Sequence, residues 1–303
     1  MTPLRLGYLY GLGAYLLWGV FPLYFKLLRP AGPLEILAHR VVWSVLFVAL
    51  LLGALRNVNF LRALLRRPWA VAGIVAAAAL IAVNWGTYIY GVSSDRVVET
   101  ALGYFINPLV VVLLGVTVLR ERLRPAQWVA MGIGAAAVAV LAVDYGRPPW
   151  LALTLAFSFA GYGLVKKRLG LPAAEGLFVE SAVLALPALG YLGWLSAHDD
   201  LTFGHVSAGH TALLVLAGAA TAIPLLLFAG AANRLPLSGL GMIQYLAPIL
   251  QLGCGVLIFH EPMPPARLAG FALVWLALVV FTADAIRTSR QTRAQARALV
   301  PAG

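Results

Sequence analysis

This chain of 303 residues has a single cysteine, Cys254, so it can form neither an internal disulfide nor a cysteine-based metal cage. Cys254 stands in an apolar run between Gly253 and Gly255 and reads as a small packing residue. Charge is scarce as well. Only 11% of residues are charged, against roughly 25% in a soluble domain. Acidic residues are the scarcest, with 11 Asp and Glu against 22 Lys and Arg. There is no phosphate-binding glycine loop and no GxSxG nucleophile elbow. His260-Glu261-Pro262 lacks the second histidine of a zinc-protease helix. The chain therefore reads as a non-enzyme, with no cofactor and no metal implied. A cleavable signal peptide is not expected, because the first apolar stretch runs into Phe21-Pro22 and a charged loop rather than a small-residue cleavage site.

Apolar residues are what it has. They make up 62% of the chain, and the mean hydropathy is +0.90. Runs of roughly 17–25 apolar residues are long enough to cross a bilayer as helices. The pattern predicts ten spans, near 7–27, 35–55, 70–90, 98–118, 126–143, 149–165, 177–196, 210–231, 238–259 and 266–285. With the N-terminus inside, 16 of the 22 cations fall on inner segments and five outside, while Arg40 lies within a span. Positive residues favour cytoplasmic loops, so both termini are assigned to the cytoplasm. The cation excess is an orientation signal, not a nucleic-acid footprint. A basic tail from residue 286 is expected to lie against anionic lipid.

The chain also repeats itself at an offset of 140. Lys26 falls on Lys166, Glu35 on Glu175, Pro108 on Pro248, Glu121 on Glu261, Pro125 on Pro265 and Asp144 on Asp284. With only 6 Glu in the chain, two Glu–Glu coincidences without a gap mark a duplication. The units are 1–145, 146–285 and the tail 286–303. Five spans per unit is an odd number, so the second copy must enter from the opposite side. Inverted repeats of this kind place a site near the midplane between the halves. Glycines spaced for close helix packing, such as Gly7 and Gly11, accompany them.

Polar groups inside spans need partners or a wet cavity. Asn84 and Tyr88 share a helix face, with Trp85 beside them. Glu99, Gly103 and Asn107 follow at steps of four, and Tyr104 is three before Asn107. Gln244, Pro248 and Gln251 share a face on the ninth span, and Gln244 occupies the position equivalent to Tyr104. As a set these residues read as cavity lining; singly, inter-helix bonding is an equal alternative. Pro108, Pro224 and Pro248 each remove a backbone donor inside a span and are hinge candidates. Among charges, Arg40 is expected to pair with Glu99, and Glu180 with Lys166, Lys167 or Arg168. His39 reads as a satisfied interfacial histidine rather than a proton carrier. Lys26 and Lys166 are expected to snorkel. Glu121 and Glu261 are expected to cap or order the turns that follow their spans.

Several runs carry a resemblance. Leu102-Gly103-Tyr104-Phe105-Ile106-Asn107-Pro108-Leu109, His39-Arg40 with Trp43-Ser44, Asn84-Trp85, and Ile223-Pro224-Leu225 followed by Gln244-Tyr245 resemble the RarD branch of the EamA-type drug/metabolite transporter superfamily. The likeness extends to about residue 285. It implies an all-α integral membrane protein of two inverted five-helix repeats, acting as a permease in the bacterial cytoplasmic membrane. It brings no catalytic residues with it. The reading is a secondary transporter for a small organic metabolite or drug, with export as its direction. Its partners would be the small-molecule solute and membrane lipid, and self-association is compatible with it. Two rivals remain: uptake or facilitated diffusion, and a non-transporting membrane scaffold.

Overall fold

The computed structural model describes residues 2–54, 64, 68–120, 122–235 and 237–298. Every regular element among them is helical. The elements are α1 (Pro3–Gly19), α2 (Phe21–Leu27), α3 (Pro33–Ala54), α4 (Pro68–Ser93), α5 (Val97–Leu119), α6 (Pro125–Asp144), α7 (Trp150–Leu169), α8 (Ala173–Ala197), α9 (Ala208–Ala232), α10 (Leu237–Ile243), α11 (Leu246–Gly253), a π turn (Cys254–Ile258) and α12 (Pro265–Ala298). Proline marks many of the starts. Pro3, Pro33, Pro68, Pro125 and Pro265 each take the first position of a helix, where a missing N–H leaves no bond unmade.

The helix starts carry the repeat into three dimensions. Pro33, Pro68, Val97 and Pro125 recur 140 residues later as Ala173, Ala208, Leu237 and Pro265. The main packing partners come from opposite halves: α6 with α12, α3 with α8 and α9, α7 with α4 and α5, and α1 with α9 and α11. Exchanging the halves maps α6–α12 and α3–α8 onto themselves, the pairs of α1 onto those of α7, and α3–α9 onto the contact of α4 with α8. The copies α6 and α12 run antiparallel and are clamped at both ends. Arg267 Nε donates to Asp144 at 2.9 Å, and Arg124 Nε donates to Asp284 at 2.8 Å.

Among the described residues seven helices are long and apolar enough to cross a membrane, or eight if the bent pair α1–α2 is one span. The other two expected spans depart from that measure for visible reasons. Helix α7 ends in Lys166, Lys167 and Arg168. The span expected over 238–259 is broken at Gln244–Tyr245 into α10 and α11 and finishes in the π turn. Pro248 cannot donate to the carbonyl of Gln244, four residues earlier, and its ring crowds that carbonyl. Gly239 and Gly241 weaken the turn before it. The 43° bend between α1 and α2 has the same origin in Pro22, a break the periodicity does not reveal. The basic segment after 285 continues α12 as helix to Ala298. Large apolar side chains point outward along the spans, Leu50, Val143, Leu186 and Leu257 among them. Such an apolar outer surface is what lipid requires and water does not tolerate. The protein is membrane-embedded.

Candidate functional site: a polar seam between the halves

The intramembrane polar groups meet where the halves meet. Asn84 on α4 is fully buried; its Nδ2 donates to the Leu155 carbonyl at 3.0 Å and to Ser158 Oγ at 3.1 Å on α7. Its Oδ1 accepts from the Tyr104 hydroxyl at 3.3 Å. Asn107 Nδ2 donates to the Ala156 carbonyl on α7 at 3.0 Å. Gln251 Nε2 on α11 donates to the Trp18 carbonyl on α1 at 3.0 Å. That carbonyl is the one left without its helical donor by Pro22, so the break in one half is satisfied from the other. Of these bonds across the halves only that of Gln251 answers a proline; Asn84 and Asn107 bond carbonyls of α7 whose i+4 residues are Phe159 and Ala160.

Arg40, on α3, is 5% exposed. Its Nε donates to Thr221 Oγ1 on α9 at 2.7 Å, and its Cζ lies 4.0 Å from the Trp85 ring centroid. Phe21 and Phe25 stand within 6 Å of the same group. The hydroxyls of Tyr24, Tyr88 and Tyr104 share its electrostatic surroundings. Among the described residues seven buried side-chain polar atoms have no protein partner: the Tyr88 and Tyr145 hydroxyls, Gln251 Oε1, Ser44 and Ser181 Oγ, His39 Nε2 and His210 Nδ1. Buried groups of this kind are normally bonded, so each calls for a water or a ligand atom.

Arg40 does not meet Glu99. Helix α3 packs on α8, α9 and α4, whereas α5 packs on α7 and α11, so equal depth does not bring them together. Glu99 instead accepts from Arg96 at 2.5 Å, from Arg147 at 3.0 Å and from the Leu151 amide at 3.2 Å. Glu180 takes Lys166, one of its expected partners, at 2.8 Å, together with the Tyr162 hydroxyl at 2.9 Å. Lys26 and Lys166 do not snorkel free. Lys26 ends on Asp95 and Lys166 on Glu180. His39 stacks on Phe203, and its Nδ1 accepts from Trp43 Nε1 at 3.3 Å.

Gln244 and Tyr245 stand apart from this seam. They form the break between α10 and α11, and Tyr245 packs against the core of α5, α6 and α12. Pro108 and Pro224 lie inside helices that continue through them, so of the three hinge candidates Pro248 alone adjoins a break. Thr221 and Ser158 were not singled out in the sequence. A hydroxyl inside an apolar span was the available signal, and its ability to bond its own helix makes that signal weak.

One end of the bundle is closed by carboxylates that cap the opposite half. Glu261 accepts from the Val97 and Val98 amides at 2.6 and 2.8 Å, and Glu35 accepts from the Thr202 amide at 2.8 Å. Glu261 is thus a cap, though of a helix in the other half rather than of its own turn; Glu121 lies outside the described residues. A cavity of about 200 Å³ opens here among Arg96, Glu99, Arg147, Glu261 and Arg267. Its charges are already engaged, Arg96 and Arg147 by Glu99, Arg267 by Asp144 and Glu261 by backbone amides, so it reads as a closure rather than the place where a solute sits. Hydrogen bonds from Lys26 and then Arg29 hold the exposed Asp95 carboxyl below the usual carboxylate range.

Comparison with known proteins agrees with this architecture. The model of the EamA-like transporter family matches twice, over residues 5–143 and 148–283. The chain is 56% identical over 297 residues to the protein RarD of Streptomyces exfoliatus, covering 98% of this chain and 94% of that one. It is 42% identical to the uncharacterized transporter YojE of Bacillus subtilis, covering 95% and 97%. It is 39% identical to the protein RarD of Escherichia coli K12, also covering 95% and 97%. A solved crystal structure with 22% identity superposes with a TM-score of 0.58 over 90% of this chain and 96% of its own, a likeness of fold. Two family matches covering both halves, and RarD relatives along nearly the whole chain, establish that this membrane protein is a RarD-type member of the EamA-like transporter family.

Proposed function

We propose that the chain is a secondary permease that moves a small organic metabolite or drug across the cytoplasmic membrane by exchanging two arrangements of its halves. The observation that carries this is the seam. The bonds of Arg40, Asn84, Asn107 and Gln251 each run from one half to the other. Groups that must be re-paired when the halves rock are the groups a solute can meet on the way.

The topology proposed with it is ten crossings in two inverted five-helix repeats, 1–145 and 146–285, with both termini in the cytoplasm. The antiparallel run of the copies α6 and α12 supports the inversion, and the cation distribution supports the orientation. Export is the direction implied by the likeness to drug/metabolite transporters. Uptake is the other outcome that a flux assay reads.

The test is flux through the purified protein alone in proteoliposomes, for a panel of organic solutes, with and without a proton gradient. Some solute should move faster than in empty liposomes. Asn107→Leu should insert and fold, yet lower that flux about tenfold if the contact it loses is worth about 1.4 kcal/mol. If no solute in a broad panel exceeds the empty-liposome rate, the permease reading falls and the scaffold stands.

A further inference from the structure

Arg40 is a permanent cation enclosed by aromatic rings, with no anion to meet it. Among the described residues it forms no ion pair. The buried carboxylates Glu35, Glu99 and Glu180 are engaged elsewhere: Glu35 with Thr202 and Phe203, Glu99 with Arg96 and Arg147, and Glu180 with Tyr162 and Lys166. A guanidinium stays charged at every physiological pH and carries five N–H donors. Thr221 accepts one of them, at Nε. No hydrogen bond from the Nη groups forms among the described residues, and these present the edge that grips a carboxylate with two parallel bonds. A buried charge left in this condition is costly unless something pairs with it.

The surroundings say what kind of molecule would. The faces of Trp85, Phe21 and Phe25 line the guanidinium and offer apolar area. Tyr88 presents a hydroxyl without a partner, and Gln251 an unpartnered amide oxygen, in the same buried interior. Aromatic walls with a few placed polar groups are the usual make-up of a small-molecule site. We propose that Arg40 is the recognition point for the carboxylate of a small organic anion with an apolar body, held against Trp85 and the Tyr88 hydroxyl when the halves part. This rests on the permease reading and gives that site its substrate class.

The probes are phenylacetate and its neutral amide, phenylacetamide, with sodium chloride as the ionic control. The readout is the thermal midpoint of the purified full-length protein in detergent. Phenylacetate should raise the midpoint in a saturable way, whereas the amide and chloride should not. Arg40→Met removes a buried cation and keeps the length of the side chain. It should fold with an unchanged or higher midpoint and show no shift with phenylacetate. Arg40→Lys keeps the charge without the fork, and its half-saturating concentration should rise at least tenfold. The proposal is overturned if phenylacetate gives the wild type no shift, if the amide shifts it equally, or if Arg40→Met retains the shift. Should Arg40→Met fail to fold, Arg40→Lys decides: binding as tight as wild type rejects the fork. Flux separates this from the broader reading. Carboxylate binding through Arg40 without any flux would sink the permease, whereas equal flux of acid and amide would sink the Arg40 site alone.

Discussion

A methyl group at Gly218 tests whether the seam is as tight as it is drawn. Gly218 lies on α9, three residues before Thr221, and faces α3. A Cβ built there would lie 2.4 Å from both the carbonyl carbon and the oxygen of Trp43, and 2.8 Å from the Ser44 amide nitrogen. These are backbone atoms of a packed helix, so no side chain can swing aside. Ordinary contact would need the helices to separate by about 1 Å, and overpacking of this kind costs about 1–3 kcal/mol. The separation falls on the contact that joins Arg40 to Thr221. A bond of 2.7 Å would lengthen to roughly 3.7 Å, beyond hydrogen-bond reach. Gly218→Ala should therefore melt earlier than wild type and lose most of its flux. The control is Gly132→Ala, where a new Cβ meets nothing within 4 Å; it should be neutral or stabilise by less than about 1 kcal/mol. The chain supplies its own reporter. Cys254 is buried, so a dye that fluoresces on reacting with thiols follows unfolding directly. If Gly218→Ala melts with the wild type, or Gly132→Ala falls equally, the close approach of α3 and α9 is wrong.

Three further outcomes follow from the site. Glu261→Ala strands the Val97 and Val98 amides, at about 1–3 kcal/mol for each buried donor; Glu261→Gln keeps an acceptor and should lose much less, and equal midpoints for the two variants would remove the cap. The Lys26–Arg29–Asp95 clamp has a pH signature. A carboxyl held low contributes stability fully above its ordinary pKa of about 4, and that contribution disappears as pH falls through the lower folded value. The midpoint gap between wild type and Asp95→Asn should be constant from pH 7 to about 4 and close below it; a gap that closes between pH 7 and 5 would exclude Asp95 as its source. For topology, cysteines at the exposed positions Asp200 and Asn233, in a Cys254→Ala background, should differ in intact cells. An impermeant thiol reagent should label position 200 and spare position 233, and equal labelling would refute the orientation.

The sequence by itself determined the membrane class, the repeat and the family. Each depends on one-dimensional information: the length of an apolar run, the offset of 140 between matching residues, the order of residues in a short motif. The helix starts recur at that offset although only Pro125 keeps its proline, as Pro265; Pro33 and Pro68 give way to Ala173 and Ala208. Near neighbours in sequence were legible in the same way, and Lys166 was rightly among the partners expected for Glu180. What a residue touches across the bundle was not. Arg40 and Glu99 were expected to pair, yet they face different neighbours, because rotation about the helix axis and the choice of adjacent helix are set by packing of the whole bundle. The pairing of Gln251 with the Trp18 carbonyl, the cap of Glu261 on α5 and the isolation of Arg40 among aromatic rings arise only when the two halves interlock. No local sequence pattern encodes contacts between residues more than 160 positions apart. They are products of the tertiary structure, and the proposed site is made of them.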